Sequence, residues 1–240
     1  MEKILVELER KIASITINNP DKMNCIDMEM LRLLESGLLD IKKSRTANVI
    51  IIKGAGNKAF STGGNLKDFN KLTKYHEVKD WIKFGNEVFN FLENMPVATI
   101  AAIDGYAMGG GLELALSCDL RIATENSIFS MPELNHGWVP GWGGLSKIRR
   151  LIGEAKAKEL IMLGERIDGI EAHRIGLINK VCEQNELQGL TNDMAEKLSL
   201  IDPFILEMSK TSIMDHNRTT TFNDLLFDAL ATNYSKKQII

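Results

Sequence analysis

Hydrophobic and polar residues alternate in two short runs at the start of the chain, around Leu5 and Glu7 and then Ile12, Ile15 and Ile17. Period-two alternation predicts a β-hairpin, and Asn19-Pro20-Asp21 ends it. The spacing then changes. Met30, Leu31, Leu34, Leu38 and Ile41 fall on one face of a helix that Asp27 caps and that runs to about Lys43. Val49 to Ile52 is continuously apolar, the mark of a strand buried on both faces. Gly54-Ala55-Gly56-Asn57 stops that strand, and Phe60 to Asn65 reads as a glycine-bearing loop. A helix from about Glu77 to Glu93, a strand from Val97 to Ile103, and a glycine segment opening a helical run from Leu112 to Ser117 follow. Leu120 to Ala123 and Ile128 to Ser130 read as short strands, and Gly137 to Gly144 as a loop rich in glycine and tryptophan. The remainder is mainly helical, with a strand-like piece at Leu177 to Cys182. Strands alternating with helices argue an α/β fold. The expected organisation is a core over residues 1–184 and a C-terminal helical subdomain over 185–240.

Composition narrows the function classes. At 240 residues and 44% hydrophobic content, the chain can bury a sizeable core. A net charge of -3 argues against a nucleic-acid binder. Cys25, Cys118 and Cys182 are widely spaced and odd in number, which suggests neither a disulfide framework nor a zinc site. With no signal peptide or membrane-length apolar run in view, a reduced, cytoplasmic setting and no membrane partner are expected.

The candidate chemistry centres on Gly105-Tyr106-Ala107-Met108-Gly109-Gly110-Gly111-Leu112-Glu113. Consecutive glycines at a helix N-terminus leave backbone N–H groups bare for an anionic group. A donor for an oxyanion and a potential base thus share one segment, which suggests acyl-thioester or similar carbonyl chemistry. Glu113 lies near the positive end of the helix, which favours its ionised form. Glu133, after Pro132, is expected in less solvated surroundings, and two carboxylates in unlike surroundings can divide base and acid roles. On position alone, each is as readily a helix-dipole partner. The loop Phe60 to Lys67 carries Gly63-Gly64, and an oxyanion hole needs donors from separate segments. Gly64 and Gly110 could each supply one; the plainer reading is a strand-to-helix loop with Asn65 as its cap. His136, Trp138 and Trp142 flank Val139-Pro140-Gly141, where they either line a pocket or simply pack. His76, His173 and His216 show no metal or triad spacing. Neither a dinucleotide fingerprint nor a P-loop is present.

On these segments the chain resembles the crotonase superfamily of enoyl-CoA hydratases and isomerases. The glycine segment continuing through Leu114-Ala115, Cys118-Asp119-Leu120-Arg121-Ile122-Ala123, the loop Ala59 to Lys67, Phe129-Ser130-Met131-Pro132-Glu133, and Gly137 to Gly144 occur in the family's order and spacing. The resemblance implies a spiral of ββα units with a C-terminal helical region that forms trimers, often paired as hexamers. It implies that the Gly64 and Gly110 N–H groups bind a thioester oxygen. Glu113 and Glu133 fall on the two glutamate positions of a hydratase, as base and as proton donor to the α-carbon. The substrate is then a trans-2-enoyl thioester of CoA, or of acyl carrier protein, with no separate cofactor. Ser61, Thr62, Lys67, Gly109, Pro132, His136, Trp138, Gly141 and Trp142 are the expected substrate contacts. The turn at Gly141 is expected to aim a dipole at the acyl group or to position Glu133.

Some positions depart from the hydratase pattern. Gly64 stands where many members carry Ala, and Asn65 where Asp is common. Trp142 and His136 point to an acyl pocket shaped for a branched, ring-bearing or polar group, and decarboxylating relatives also carry tryptophan near this turn. Typical members continue with a last helix over the CoA and acyl group, whereas this sequence ends at Lys236-Lys237-Gln238-Ile239-Ile240, truncated or without that cover. The alternatives to hydration are isomerisation, for which the second glutamate is surplus, decarboxylation, for which the two glutamates would repel the leaving carboxylate unless one were protonated, and a non-catalytic assembly subunit.

Overall fold

The computed structural model describes residues 2–214 and Tyr234. Strands β1 (Ile4–Glu9) and β2 (Ile12–Ile17) form the expected antiparallel hairpin. Helix α1 (Met28–Ser44) starts at Asp27, whose carboxylate accepts the Met30 N–H at 2.9 Å. The same carboxylate takes an ion pair from Lys3 at 2.7 Å, which fixes the helix start against β1. Met30, Leu31, Leu34, Leu38 and Ile41 are all buried, as their spacing predicts.

Three strand–strand–helix units follow. The first is β3 (Val49–Gly54), β4 (Ala59–Ser61), a single turn α2 (Leu66–Phe69) and α3 (Tyr75–Glu93). The second is β5 (Ala98–Ile103), β6 (Tyr106–Met108) and α4 (Gly110–Leu116). The third is β7 (Leu120–Thr124), β8 (Ile128–Ser130), a 3-10 turn at Glu133–His136 and α5 (Gly144–Leu163). The chain continues through β9 (Ile167–Asp168), α6 (Gly169–Arg174), β10 (Lys180–Cys182), α7 (Leu187–Ser199) and α8 (Pro203–Met214). Each unit sends its first strand to a six-stranded sheet ordered β1-β2-β3-β5-β7-β10 and its second to a four-stranded sheet ordered β4-β6-β8-β9. Successive units are parallel neighbours in both sheets, so the chain advances as a spiral.

The central strands β3 and β5 of the larger sheet are covered on both faces, which is why they are continuously apolar, whereas the edge strand β1 is largely exposed. Ile15, Ile17, Ile50 and Ile52 face the main core with Phe60, Phe89 and Phe129, while Val49, Ile51, Ile100 and Ile122 face Ala195, Leu190 and Met194 of α7.

The structure corrects the element reading in four places. Phe60 and Ser61 belong to β4, so the first glycine loop begins at Thr62. The first part of the glycine segment is strand β6, a run too short for periodicity to show, held by parallel pairing to β4 and β8. The two-residue β9 likewise exists through its pairing with β8. Of the strand-like Leu177 to Cys182, only the last three residues form a strand; Leu177 and Ile178 are buried in the turn after α6 and donate N–H bonds to the Ala172 carbonyl. The expectation of an absent last helix, and His216, lie outside the described residues. Among the described residues, no helix is long and apolar enough to cross a membrane.

Replacing Asp27 removes both the α1 cap and a partner of Lys3. Asp27→Ala is expected to lower the unfolding free energy by about 0.5–2 kcal/mol in urea titration, the usual range for a lost N-cap. An unchanged midpoint would mean that the cap and ion pair contribute nothing.

Candidate active site

Because β4, β6 and β8 are adjacent and parallel, the segments that leave their C-terminal ends emerge side by side. These are Thr62–Asn65 after β4, Gly109–Glu113 after β6 and Met131–Glu133 after β8. The first two touch backbone to backbone: a Cβ at Gly63 would lie 2.6 Å from the Gly110 nitrogen, and one at Gly111 would collide with the Ser61 carbonyl. Gly63 and Gly109 also have positive φ, 83° and 52°, where a side chain would add strain. Among the described residues, the N–H groups of Gly64 and Gly110 donate no hydrogen bond to protein. Gly110 opens α4, so its N–H has no partner within the helix.

A cavity of about 400 Å³ lies over these segments. Thr62, Gly64, Gly109, Gly110, Glu113, Pro132, Glu133, His136, Trp138, Gly141 and Trp142 all line it. Two of the expected contacts do not. Ser61 is fully buried behind the loop, donating to the Asn24 carbonyl at 2.8 Å and accepting the Gly63 N–H at 3.1 Å. Lys67 is exposed on α2, where its N–H is bound by the Asn65 cap at 3.1 Å, so the capping role for Asn65 holds. His76 is exposed at the start of α3, and His173 Nδ1 lies 3.3 Å from the Ile178 carbonyl.

Sequence reasoning missed one wall of this cavity. Leu66 and Phe69 of α2 and Val78, Trp81 and Ile82 of α3 line it, packed against the glycine turn. The signal was present in α3, where Val78, Trp81, Ile82, Gly85 and Phe89 form one helical stripe. The rings of Trp138, Phe69, Trp81, Trp142 and Phe89 run in sequence, with neighbouring centroids 4.7, 5.1, 4.6 and 5.1 Å apart.

Glu113 is 2% exposed. Its Oε1 accepts the Trp142 backbone N–H at 2.9 Å and the Gly144 N–H at 2.8 Å, and its Oε2 has no hydrogen-bond partner among the described residues. The glycine turn therefore holds Glu113 through two of its amides, a role that neither expectation for the turn, a dipole on the acyl group or a hold on Glu133, included. Gly144 is required there because a Cβ would lie 2.6 Å from Glu113 Cγ. The helix N-terminus favours the ionised form of Glu113 but does not hold it at an ordinary carboxylate pKa. Burial outweighs the two amide bonds and, with the charge of Glu133 nearby, pushes its pKa up to about 7. Glu133, expected to be the less solvated of the two, is only half-buried. Burial raises its pKa too, and its Oε2 is buried without a hydrogen-bond partner. Its Oε1 approaches Gly109, where a Cβ would lie 2.9 Å away.

Beneath Glu113 is a buried ion network with no sequence signature. Lys147 Nζ pairs with Glu93 at 3.1 Å and donates to Ser117 Oγ at 2.8 Å. Ser117 Oγ donates in turn to the Glu113 carbonyl at 2.7 Å. Lys147 belongs to α5, whose first residue supplies the Gly144 N–H, so the network ties α5 to the helix that carries Glu113.

A raised carboxyl pKa destabilises the folded protein once the group ionises. Between the unfolded value near 4.5 and the folded value of about 7, the native state holds more protons, so stability falls as pH rises through that window. Glu113→Gln removes this loss. The variant is expected to exceed wild type by up to about 3 kcal/mol near pH 8, with the difference closing towards pH 4.5, as read by urea unfolding at each pH. A difference that does not change with pH would contradict the titration assigned to Glu113.

The family model of enoyl-CoA hydratase/isomerase matches residues 7–237. A short-chain-enoyl-CoA hydratase of Clostridium acetobutylicum is 36% identical over 213 residues, covering 89% of this chain and 81% of the relative. A crotonyl-CoA hydratase of Syntrophomonas wolfei is 34% identical over 218 residues, covering 91% and 84%. The crystal structure of an enoyl-CoA hydratase from Bacillus anthracis superposes with a TM-score of 0.90 at 31% identity, covering 97% of this chain and 90% of that one. With its spiral of strand–strand–helix units and glutamate-lined cavity, the chain belongs to the enoyl-CoA hydratase/isomerase family and has the crotonase fold.

Proposed function

We infer that the protein adds water across the double bond of a trans-2-enoyl-CoA thioester, giving the 3-hydroxyacyl-CoA. The observation that carries this reading is the presence of two carboxylates, Glu113 and Glu133, in one cavity with the unpaired N–H groups of Gly64 and Gly110. The hydratase names of the relatives from Clostridium acetobutylicum and Syntrophomonas wolfei support it.

The thioester oxygen accepts the Gly64 and Gly110 N–H groups, which stabilise the negative charge that develops there. Water is held between the two carboxyls. Glu113 removes a proton as the water oxygen bonds to the β-carbon, and the electron pair of the double bond moves toward the thioester. Glu133 then delivers a proton to the α-carbon. Burial raises both carboxyls, which favours the protonated form of each. The addition requires the proton on Glu133, whose Oε2 is buried without a partner, and Glu113 ionised under its two amide donors. An isomerase has no task for the second carboxyl, and a decarboxylase would place a leaving carboxylate against the ionised Glu113.

Purified protein is expected to consume crotonyl-CoA with loss of the enoyl-thioester ultraviolet absorbance and a product heavier by one water. Glu113→Gln and Glu133→Gln are each expected to lower kcat by roughly 10²–10⁴-fold, the usual contribution of a general acid or base. Full activity in Glu113→Gln would remove that residue from the mechanism. Double-bond migration without water uptake would replace hydration by isomerisation.

A further inference from the structure

Gly85 lies inside the 19-residue helix α3, where glycine costs about 1 kcal/mol relative to alanine. A reason for it is found in the packing: a Cβ at Gly85 would collide with the Trp142 indole at Nε1 and Cε2. The same indole meets the other two glycine segments. A Cβ at Gly110 would lie 2.5 Å from its Cζ3, and one at Gly64 would lie 3.5 Å from its Cη2 and 2.6 Å from Trp81 Cη2. Three separate segments thus omit a side chain where these indoles pack. Trp142 is 1% exposed and wedged between Trp81 and Phe89, so its ring has no room to swing aside. It lines the cavity together with Glu113 and is buried there, whereas Val139 and His136 of the same lining are exposed.

We propose that the Trp142 indole is the specificity-determining end wall of the acyl site and limits the protein to short acyl groups. The proposal rests on the reading of this cavity as an acyl-thioester site. The carbonyl is fixed between Gly64 and Gly110, and the β-carbon must reach Glu113. The Trp142 indole packs against Gly110 and Gly64 themselves, 2.5 and 3.5 Å from where their Cβ atoms would be, and lines the same cavity as Glu113, so carbons beyond the β-position meet that ring. A butanoyl or crotonyl group ends before this wall, and a straight ten-carbon chain does not. Gly64 is then the companion of the two tryptophans, since alanine there would press on Trp81.

The test is binding of saturated butanoyl-CoA and decanoyl-CoA, measured by calorimetry on the full chain and on Trp142→Ala. Neither ligand can be hydrated, so the result is independent of turnover. Wild type is expected to prefer butanoyl-CoA, and Trp142→Ala to shift the affinity ratio toward decanoyl-CoA by roughly tenfold or more, the scale of a few methylenes in an apolar pocket. If Trp142→Ala does not fold by circular dichroism, Trp142→Leu is expected to shift the ratio in the same direction by less. An unchanged ratio in a folded variant overturns the wall. A wild type that already favours decanoyl-CoA, or binds neither ligand, overturns it as well. Failure to hydrate crotonyl-CoA with the binding ratio shifted as expected would sink hydration and leave the wall standing.

Discussion

The site depends on the parallel pairing of three very short strands. Ser61 lies opposite Ala107, and Ala107 opposite Phe129, so β4, β6 and β8 end at nearly the same level. Chain leaving parallel neighbours at one level has to emerge together. Two glycine segments and one carboxylate segment, distant in sequence, therefore form one surface. Gly109 reinforces this alignment by donating its N–H to the Ser130 carbonyl at 2.9 Å.

Close approach of backbones then sets the chemistry. Gly63 and Gly111 have no side chain to separate the first loop from α4, and Gly144 leaves room for Glu113 against the start of α5. The result is a carboxyl 2% exposed yet held by two amides. Burial and hydrogen bonding oppose each other there, and burial prevails, so Glu113 titrates at about 7. Lys147, Glu93 and Ser117 brace the helix below it. A buried ion pair is rarely a large net source of stability, but it does fix the relative placement of the elements it joins.

The aromatic rings form the other half of the cavity. Trp138 and Trp142 come from the glycine turn, Phe69 and Trp81 from the α2–α3 side, and they meet edge to face or tilted, as ring quadrupoles favour. These rings give the cavity an apolar lining beside the glutamates and bare amides.

Much of this was legible in the sequence. The face of α1, the continuous apolar run of β3 and the Asp27 cap followed from spacing alone, because local hydrogen bonding and one-sided burial dictate them. Glu113, Glu133, Gly64 and Gly110 were marked by glycine beside carboxylate, and the structure brings all four to one cavity. The strands β6 and β9, the burial of Ser61, the hold of the glycine turn on Glu113 and the Lys147 network were not legible. Each depends on partners far apart in the chain, so no local period or motif encodes it. The sequence by itself determined which segments fold and which residue types could do chemistry. The tertiary structure decided which of them touch, and how far burial shifts a carboxyl away from its behaviour at a solvated helix end.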